Sequence, residues 1–306
     1  MYLARRLAIV PFLIALSAAM TACGGSSNSG STAVSGTPVA ATTSTSKSFA
    51  SLLPPAIQSS KVIKLQTEVG YAPYEVYKAD GKTIEGLDVD LWKALEPLLG
   101  VKFDVQDGTY ANIIPALQSK RADVGWSAMA LSSFVGNKQA KFLVYENRSF
   151  SGIVVNASNG SVKTGVDLCG KSLGFTNGED PPIQNIQTQC KAAGKPAVQI
   201  KRFQKTPDII LAVESGQVDG RIVDSVNGNY FVKQSKGKLK FVADVLPRKE
   251  IPTGIAVPVD QPQLLSALQK ALQELVDNGT YDKILNAWGA QGTGVKTISV
   301  AYKYAG

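Results

Sequence analysis

Residues 61–92, KVIKLQTEVGYAPYEVYKADGKTIEGLDVDLW, constrain the fold more than any other stretch of the chain. Residues 62–65 read as a short strand, followed by a Tyr/Pro-rich turn and a helix that begins near Gly86. In that helix Leu87, Leu91, Leu95 and Leu98 recur at helical spacing, so one face is apolar and packs on a core. Asp88 and Asp90 stand in its first turn, where unpaired N–H groups and the helix dipole favour negative charge. Tyr71 and Tyr74 lie just past the strand end, the place where open α/β sheets hold their ligands.

Strand and helix signals alternate from there on. Val101, Phe103 and Val105 alternate as a strand, Ile113, Ile114 and Leu117 form a helical face with Pro115 in its first turn, and 123–127 read as a further strand. This alternation implies βα units around a largely parallel sheet, an α/β fold. A weak repeat links ALQSKRAD at 116–123 with AVESGQVD at 212–219: an apolar helix face, small or polar residues, then an aspartate leading into a strand. Two lobes on one plan would produce it, and so would chance similarity of helix-to-strand punctuation.

The N-terminal residues 1–22 have the layout of a secretory signal, with Arg5 and Arg6 before an apolar run that is too short to span a membrane as a mature helix. Met20-Thr21-Ala22-Cys23 resembles a bacterial lipobox, which implies cleavage before Cys23 and a lipid on its sulfur. An ordinary cleaved signal beside a stray cysteine is the alternative. Residues 24–60 are rich in Ser, Thr, Gly and Ala and nearly uncharged, the composition of a flexible tether, with an apolar patch at 49–57 able to dock on a folded body.

Two further cysteines remain, Cys169 and Cys190, and in an exported protein such a pair is expected to form a disulfide. The chain contains no histidine, so histidine-based acid–base chemistry is excluded and no metal site or cofactor is expected. The net charge of +8 is dispersed apart from a lysine run at 233–240 without interleaved aromatics, a solvated face rather than a nucleic-acid patch.

The ordered set YAPYEV, DGKTIEGLDVDLW, TYANIIPALQSKRADV, Gly170-Lys171-Ser172, Val218-Asp219-Gly220, Thr253-Gly254-Ile255-Ala256-Val257 and Asn278-Gly279-Thr280-Tyr281 resembles family 3 of the bacterial extracellular solute-binding proteins. The resemblance covers roughly residues 61–289. It implies a receptor that delivers a polar amino acid or related amine to the permease and ATPase of an ABC importer. The implied fold is two-lobed, periplasmic-binding-protein-like of type II, with the ligand in the cleft between the lobes. The first lobe would span 61–150 plus 252–289 and the second 151–251, hinged at strand-like crossovers near 151–155 and 253–257. Such a protein would be a lipid-anchored monomer on the outer face of the cell membrane. Glu96-Pro97 depart from the family's helix, which is therefore expected to bend or stop early. The tail at 290–306 lies beyond the resemblance.

By that resemblance Tyr71 and Tyr110 fall on an aromatic wall with Tyr74 close by, and Ser127 and Ser132 on a row of small polar residues. Three residues past Ser132 the family places an arginine that clamps the ligand carboxylate. Here Val135 stands there, and Lys138, Lys141 and Arg148 cannot be placed on the motif. Where the family has Gly-Thr-Thr at a helix start, this chain has Gly178-Glu179-Asp180-Pro181, and two acids would repel a carboxylate unless they cap the helix facing water. Asp224 matches the aspartate that holds a ligand ammonium and can also cap the helix over 225–233. An amine partner without carboxylate partners implies a small cationic ligand, an amine or guanidine lacking a free α-carboxylate.

Two other functions fit the same fold. One is a sensor whose liganded form contacts a membrane signalling protein. The other is an enzyme resembling the cyclohexadienyl dehydratases, which would need a proton donor beside a bound carboxylate; the missing arginine argues against it.

Overall fold

The computed structural model describes residues 48–302, apart from the side chains of Asp180 and Pro181. The signal segment, Cys23 and most of the tether lie outside the described residues. A first series of elements runs α1 (Pro55–Ser60), β1 (Val62–Thr67), β2 (Val76–Tyr77), β3 (Ile84–Glu85), α2 (Leu87–Leu99), β4 (Lys102–Asp107), α3 (Ile113–Gln118), β5 (Val124–Ala130) and β6 (Ala140–Arg148). A second runs β7 (Gly152–Asn156), β8 (Ser172–Thr176), α4 (Asp180–Ala192), β9 (Gln199–Phe203), α5 (Thr206–Glu214), β10 (Arg221–Val223), α6 (Ser225–Gln234) and β11 (Leu239–Val242). The chain returns through β12 (Ile251–Pro258), α7 (Pro262–Asp277), α8 (Thr280–Ala287) and β13 (Gly294–Ala301).

The larger half is a six-stranded sheet in the order β13-β6-β12-β5-β1-β4. Only the pairs β1–β4 and β1–β5 are parallel; β12 pairs antiparallel with β5 and β6, and β13 antiparallel with β6, so the sheet is mixed rather than largely parallel. The cause is the returning segment, which runs back between β5 and β6. The smaller half holds the three-stranded sheet β10-β7-β11 and the parallel pair β8-β9. Gly174 N–H donates to the Gly220 carbonyl at 3.0 Å, which brings β8 alongside the start of β10. The chain crosses between the halves at 149–151, just before β7, and at 243–250, just before β12.

The leucine face of α2 is buried as its spacing requires, and it meets Leu264, Leu268, Leu272 and Leu275 of α7 in one core. Contrary to expectation, α2 continues through Pro97 to Leu99. Pro97 and Lys93 are both exposed, so the Lys93 carbonyl that loses its N–H partner faces water, while Leu98 and Leu99 remain anchored in the core. Residues placed at the end of the tether are folded: α1 is helical, Leu53 and Ile57 are buried in the same core, and Phe49 N–H donates to the Leu98 carbonyl at 2.8 Å.

The sequence repeat has a structural counterpart. After α3, the N–H groups of Arg121 and Ala122 both donate to the Ala116 carbonyl; after α5, those of Gln217 and Val218 both donate to that of Ala212. Asp123 then accepts the Lys64 N–H of β1 at 2.8 Å, and Asp219 accepts the Ser172 N–H of β8 at 2.7 Å. Each aspartate ties its segment to the backbone of a strand in its own half, β1 in one and β8 in the other. The tail supplies β13, which pairs with β6 at the sheet edge.

Candidate functional site

The Tyr/Pro turn between β1 and α2 is fixed by the start of that helix. Leu87 N–H donates to the Pro73 carbonyl at 2.9 Å and Asp88 N–H to that of Tyr74 at 3.2 Å, so the turn caps the helix. Gly86 makes this possible: its φ is 147°, and a Cβ there would lie 1.9 Å from the Tyr74 carbonyl oxygen. Asp88 is wholly buried and accepts the Tyr145 hydroxyl at 2.7 Å and the Ala128 N–H at 2.9 Å. Ala128 adopts φ 42°, turning the end of β5 toward the cleft.

A cavity lies between the two halves. From the larger half it is lined by Glu68, Tyr71, Tyr110, Ser127, Ser132 and Arg148, and from the smaller by Phe175, Thr176, Glu179, Thr206 and Ile222. The halves touch around it. Arg148 meets Asp224 at 3.2 Å, Lys205 meets Asp107 at 2.7 Å, and Asn227 Nδ2 donates to the Ala72 carbonyl. Pro207 lies so close to Gly70 that a Cβ on the glycine would sit 2.7 Å from the ring. The remaining space is narrow, a cavity of about 30 Å³.

Of the residues expected at the site, Tyr71, Tyr110, Ser127, Ser132 and Glu179 line this cavity. Tyr74 lies one layer deeper, wholly buried, with its ring 4.7 Å from the Arg148 guanidinium. Asp224 caps α6, its Oδ1 accepting the N–H groups of Val226 and Asn227 at 2.8 and 3.0 Å, and its Oδ2 faces Arg148. The side chain of Asp180 lies outside the described residues. Glu179 makes no hydrogen bond to the N-terminal turn of α4; its carboxylate turns instead to the Thr176 N–H at 2.7 Å and to Arg221. Among the described residues no group of three or more His, Cys, Asp or Glu side chains is placed to hold a metal ion.

Two charged residues at the site, Glu68 and Arg221, escaped the sequence, and a third, Arg148, could be named there but not placed. Glu68, at the end of β1, is 2% exposed and accepts the Tyr110 N–H at 2.9 Å and the Thr206 N–H at 3.2 Å. No lysine or arginine is described in an ion pair with it, and burial, with the Glu179 charge adding to it, raises its pKa above the ordinary carboxylate range. Its position three residues before Tyr71, at a strand end, was the one available signal. Arg221 is buried beneath the cavity and holds Glu179.

The third is Arg148, which corrects the expectation that the cleft has no guanidinium for a carboxylate. Val135 is 69% exposed and does not line the cavity, whereas Arg148 reaches it from the end of β6. Lys138 is exposed, and Lys141 lies over the Tyr302 ring at 4.9 Å.

Residues 63–291 match the bacterial extracellular solute-binding proteins, family 3, and the chain belongs to that family. It is 25% identical over 250 residues to the arginine-binding protein ArgT of Corynebacterium glutamicum, covering 78% of each chain. Among solved structures it resembles an ancestral arginine-binding protein bound to arginine, with 32% identity, a TM-score of 0.65, and coverage of 74% of this chain and 98% of that one. An ancestral amino acid-binding protein described as a precursor of cyclohexadienyl dehydratase is also similar, with 26% identity, a TM-score of 0.63 and coverage of 76% and 97%. These relatives are binding proteins rather than enzymes, and the chain is a solute-binding protein of the two-lobed type.

Proposed function

We propose that the chain captures a small cationic solute, a basic amino acid or related amine, for an ABC importer. It would be held on the outer face of the membrane by a lipid on Cys23. We assign 61–150 and the residues after 252, β13 included, to the first lobe, and 151–251 to the second. Glu68 carries the ligand reading. A buried carboxylate without a cation is costly, and here it lines a narrow cavity between aromatic faces that favour a cation. Glu179 and Asp224 already have arginine partners, so a ligand cation would be directed to Glu68. Relatives described as arginine-binding agree with this choice.

A thermal-shift screen of basic, neutral and acidic amino acids beside simple amines tests it. At a hundredfold excess over Kd the true ligand adds about 2.7 kcal/mol of stability. Glu68→Gln should abolish the shift given by cations while the protein still melts cooperatively. Stabilisation by acidic or neutral amino acids and not by cations would overturn the ligand reading and leave the solute-binding role intact. For the anchor, Cys23→Ser should release the protein from the detergent phase, and unchanged partitioning would remove that proposal.

A further inference from the structure

Glu75 and Asp88 are both wholly buried behind Ala128, one in the turn after β1 and the other in the first turn of α2, with their carboxyl groups within hydrogen-bonding reach. We propose that Glu75 is a positioning residue of the cavity: it keeps a proton at neutral pH and donates it to Asp88, whose carboxylate holds Ala128 and, through it, Arg148. Nothing in this depends on which solute the cleft takes.

Two carboxylates are acceptors only, so a bond between them needs a proton. The donors around the pair decide where it sits. Asp88 Oδ1 accepts the Tyr145 hydroxyl at 2.7 Å and Oδ2 the Ala128 N–H at 2.9 Å, bonds that favour its ionised form. Neither oxygen of Glu75 has a described donor. A buried carboxylate without a donor is costly, and a like charge beside it makes it more so. Glu75 is therefore the neutral acid and Asp88 the ion. Burial, with the Asp88 charge adding to it, raises the Glu75 pKa well above the ordinary carboxylate range, against the opposing charge of Arg148. The other titratable groups facing the pair are Glu68 at the end of β1 and Tyr145 and Glu146 on β6. The Glu75 backbone is fixed as well: its carbonyl accepts the Gly70 N–H at 2.7 Å, and its N–H donates to the Tyr71 carbonyl at 3.3 Å.

Ala128 is where the pair meets the site. It stands at φ 42°, a backbone region that residues with a Cβ rarely occupy. Both of its backbone groups are engaged, the N–H with Asp88 and the carbonyl with the Arg148 guanidinium. Ala128 and Arg148 line the cavity. An ionised Glu75 would set two like charges in contact and drive Asp88 off the Ala128 N–H. The wall would then shift at Ala128 and Arg148 together.

The test is NMR of the full chain, isotope-labelled in its glutamate carboxyl groups and its backbone and arginine nitrogens, followed as pH rises. The Glu75 carboxyl signal, assigned by its absence from Glu75→Gln, should keep its protonated position through neutral pH and titrate above Glu146, whose pKa is about 7. The Ala128 N–H signal should move with that titration in the wild type and stay in place in Glu75→Gln, where an amide N–H replaces the carboxylic proton. The Glu146 step appears in both proteins and is thereby set apart. Should Glu75 hold its proton until the chain unfolds, Glu75→Leu, which has no donor, takes the place of the titration. It should displace the Ala128 N–H and Arg148 Nε–H signals where Glu75→Gln does not. A Glu75 carboxyl that titrates near the ordinary 4.5 overturns the proposal, as does an Ala128 N–H indifferent to both the titration and the leucine variant. Binding of L-arginine should follow the same proton, weakening roughly tenfold across the Glu75 titration in the wild type and staying level in Glu75→Gln. An equal fall in both proteins overturns the positioning role. Failure of L-arginine to bind at any pH counts against the ligand reading alone, and the two NMR signals then decide this one.

Discussion

Arg221 holds Glu179 in a two-pronged pair, Nη2 to Oε1 at 2.9 Å and Nη1 to Oε2 at 3.1 Å. The same guanidinium reaches Thr206 Oγ1 at 3.4 Å, and Thr206 in turn donates to Glu68. Arg221 is thus paired with Glu179 and linked to Glu68 only through Thr206. Arg221→Met leaves Glu179 without its partner and should cost roughly 3–5 kcal/mol in urea unfolding, the usual result of stripping one partner from a buried pair. Adding Glu179→Gln should recover much of that loss. A single-variant loss below about 1 kcal/mol would show that the pair adds little net stability.

Gly86 admits no side chain. At φ 147° and with the Tyr74 carbonyl 1.9 Å from where a Cβ would stand, Gly86→Ala must push the turn off the start of α2. Backbone strain and overpacking together should cost about 3 kcal/mol or more, read as a lowered urea midpoint. Gly81→Ala, where nothing lies within 4 Å, is the matched control and should cost much less.

Stability should fall as pH rises from about 4.5 to about 7. Glu146 is wholly buried, and burial raises its pKa from 4.5 to about 7, against the opposing charge of Arg148. Its Oε1 accepts from Thr293 and Tyr74, while Oε2 has no described partner, as suits a protonated acid. Between pH 4.5 and 7 the native chain keeps a proton that the unfolded chain has released. Its contribution is therefore complete below pH 4.5 and lost above about 7, amounting to about 3 kcal/mol. Glu146→Gln should flatten the change in melting temperature across this window. An unchanged slope would mean that another group titrates.

Cys169 and Cys190 are bonded, with Cα atoms 5.5 Å apart and a separation of 21 positions in sequence. The bond ties α4 to the turn before β8, with Cys190 inside the buried cluster that contains Leu168, Ile186 and Val198 and Cys169 packed against it. Replacing both cysteines by serine should lower stability by about 2–4 kcal/mol and leave ligand affinity nearly unchanged. A large loss of affinity would show that the bond shapes the cleft.

Residues that act locally were legible in the sequence, and those that act through the fold were not. The leucine spacing of α2, the cap at Asp224 and the serine row at the end of β5 are properties of short segments. The aspartates of the repeat also declared themselves, because helix-to-strand punctuation repeats within eight residues. By contrast, Arg221 meets Glu179 across 42 residues and Arg148 meets Asp224 across 76, contacts that only the pairing of strands creates. The missing arginine illustrates the limit. Its absence at Val135 could be seen, but the route by which β6 carries Arg148 to the same cavity could not. Pro97 misled for the opposite reason: its local rule holds, yet burial of Leu98 and Leu99 outweighs it.

The described chain enters and leaves through the same half. Phe49 is bonded to the end of α2, and β13 lies at the edge of the six-stranded sheet, so both ends of the described chain belong to the larger half. The covalent path into the smaller half is the two crossings at 149–151 and 243–250. Between the halves stand non-covalent contacts, among them Arg148 with Asp224 and Lys205 with Asp107. Parting the halves would therefore break side-chain contacts and leave the backbone ladders of both sheets whole.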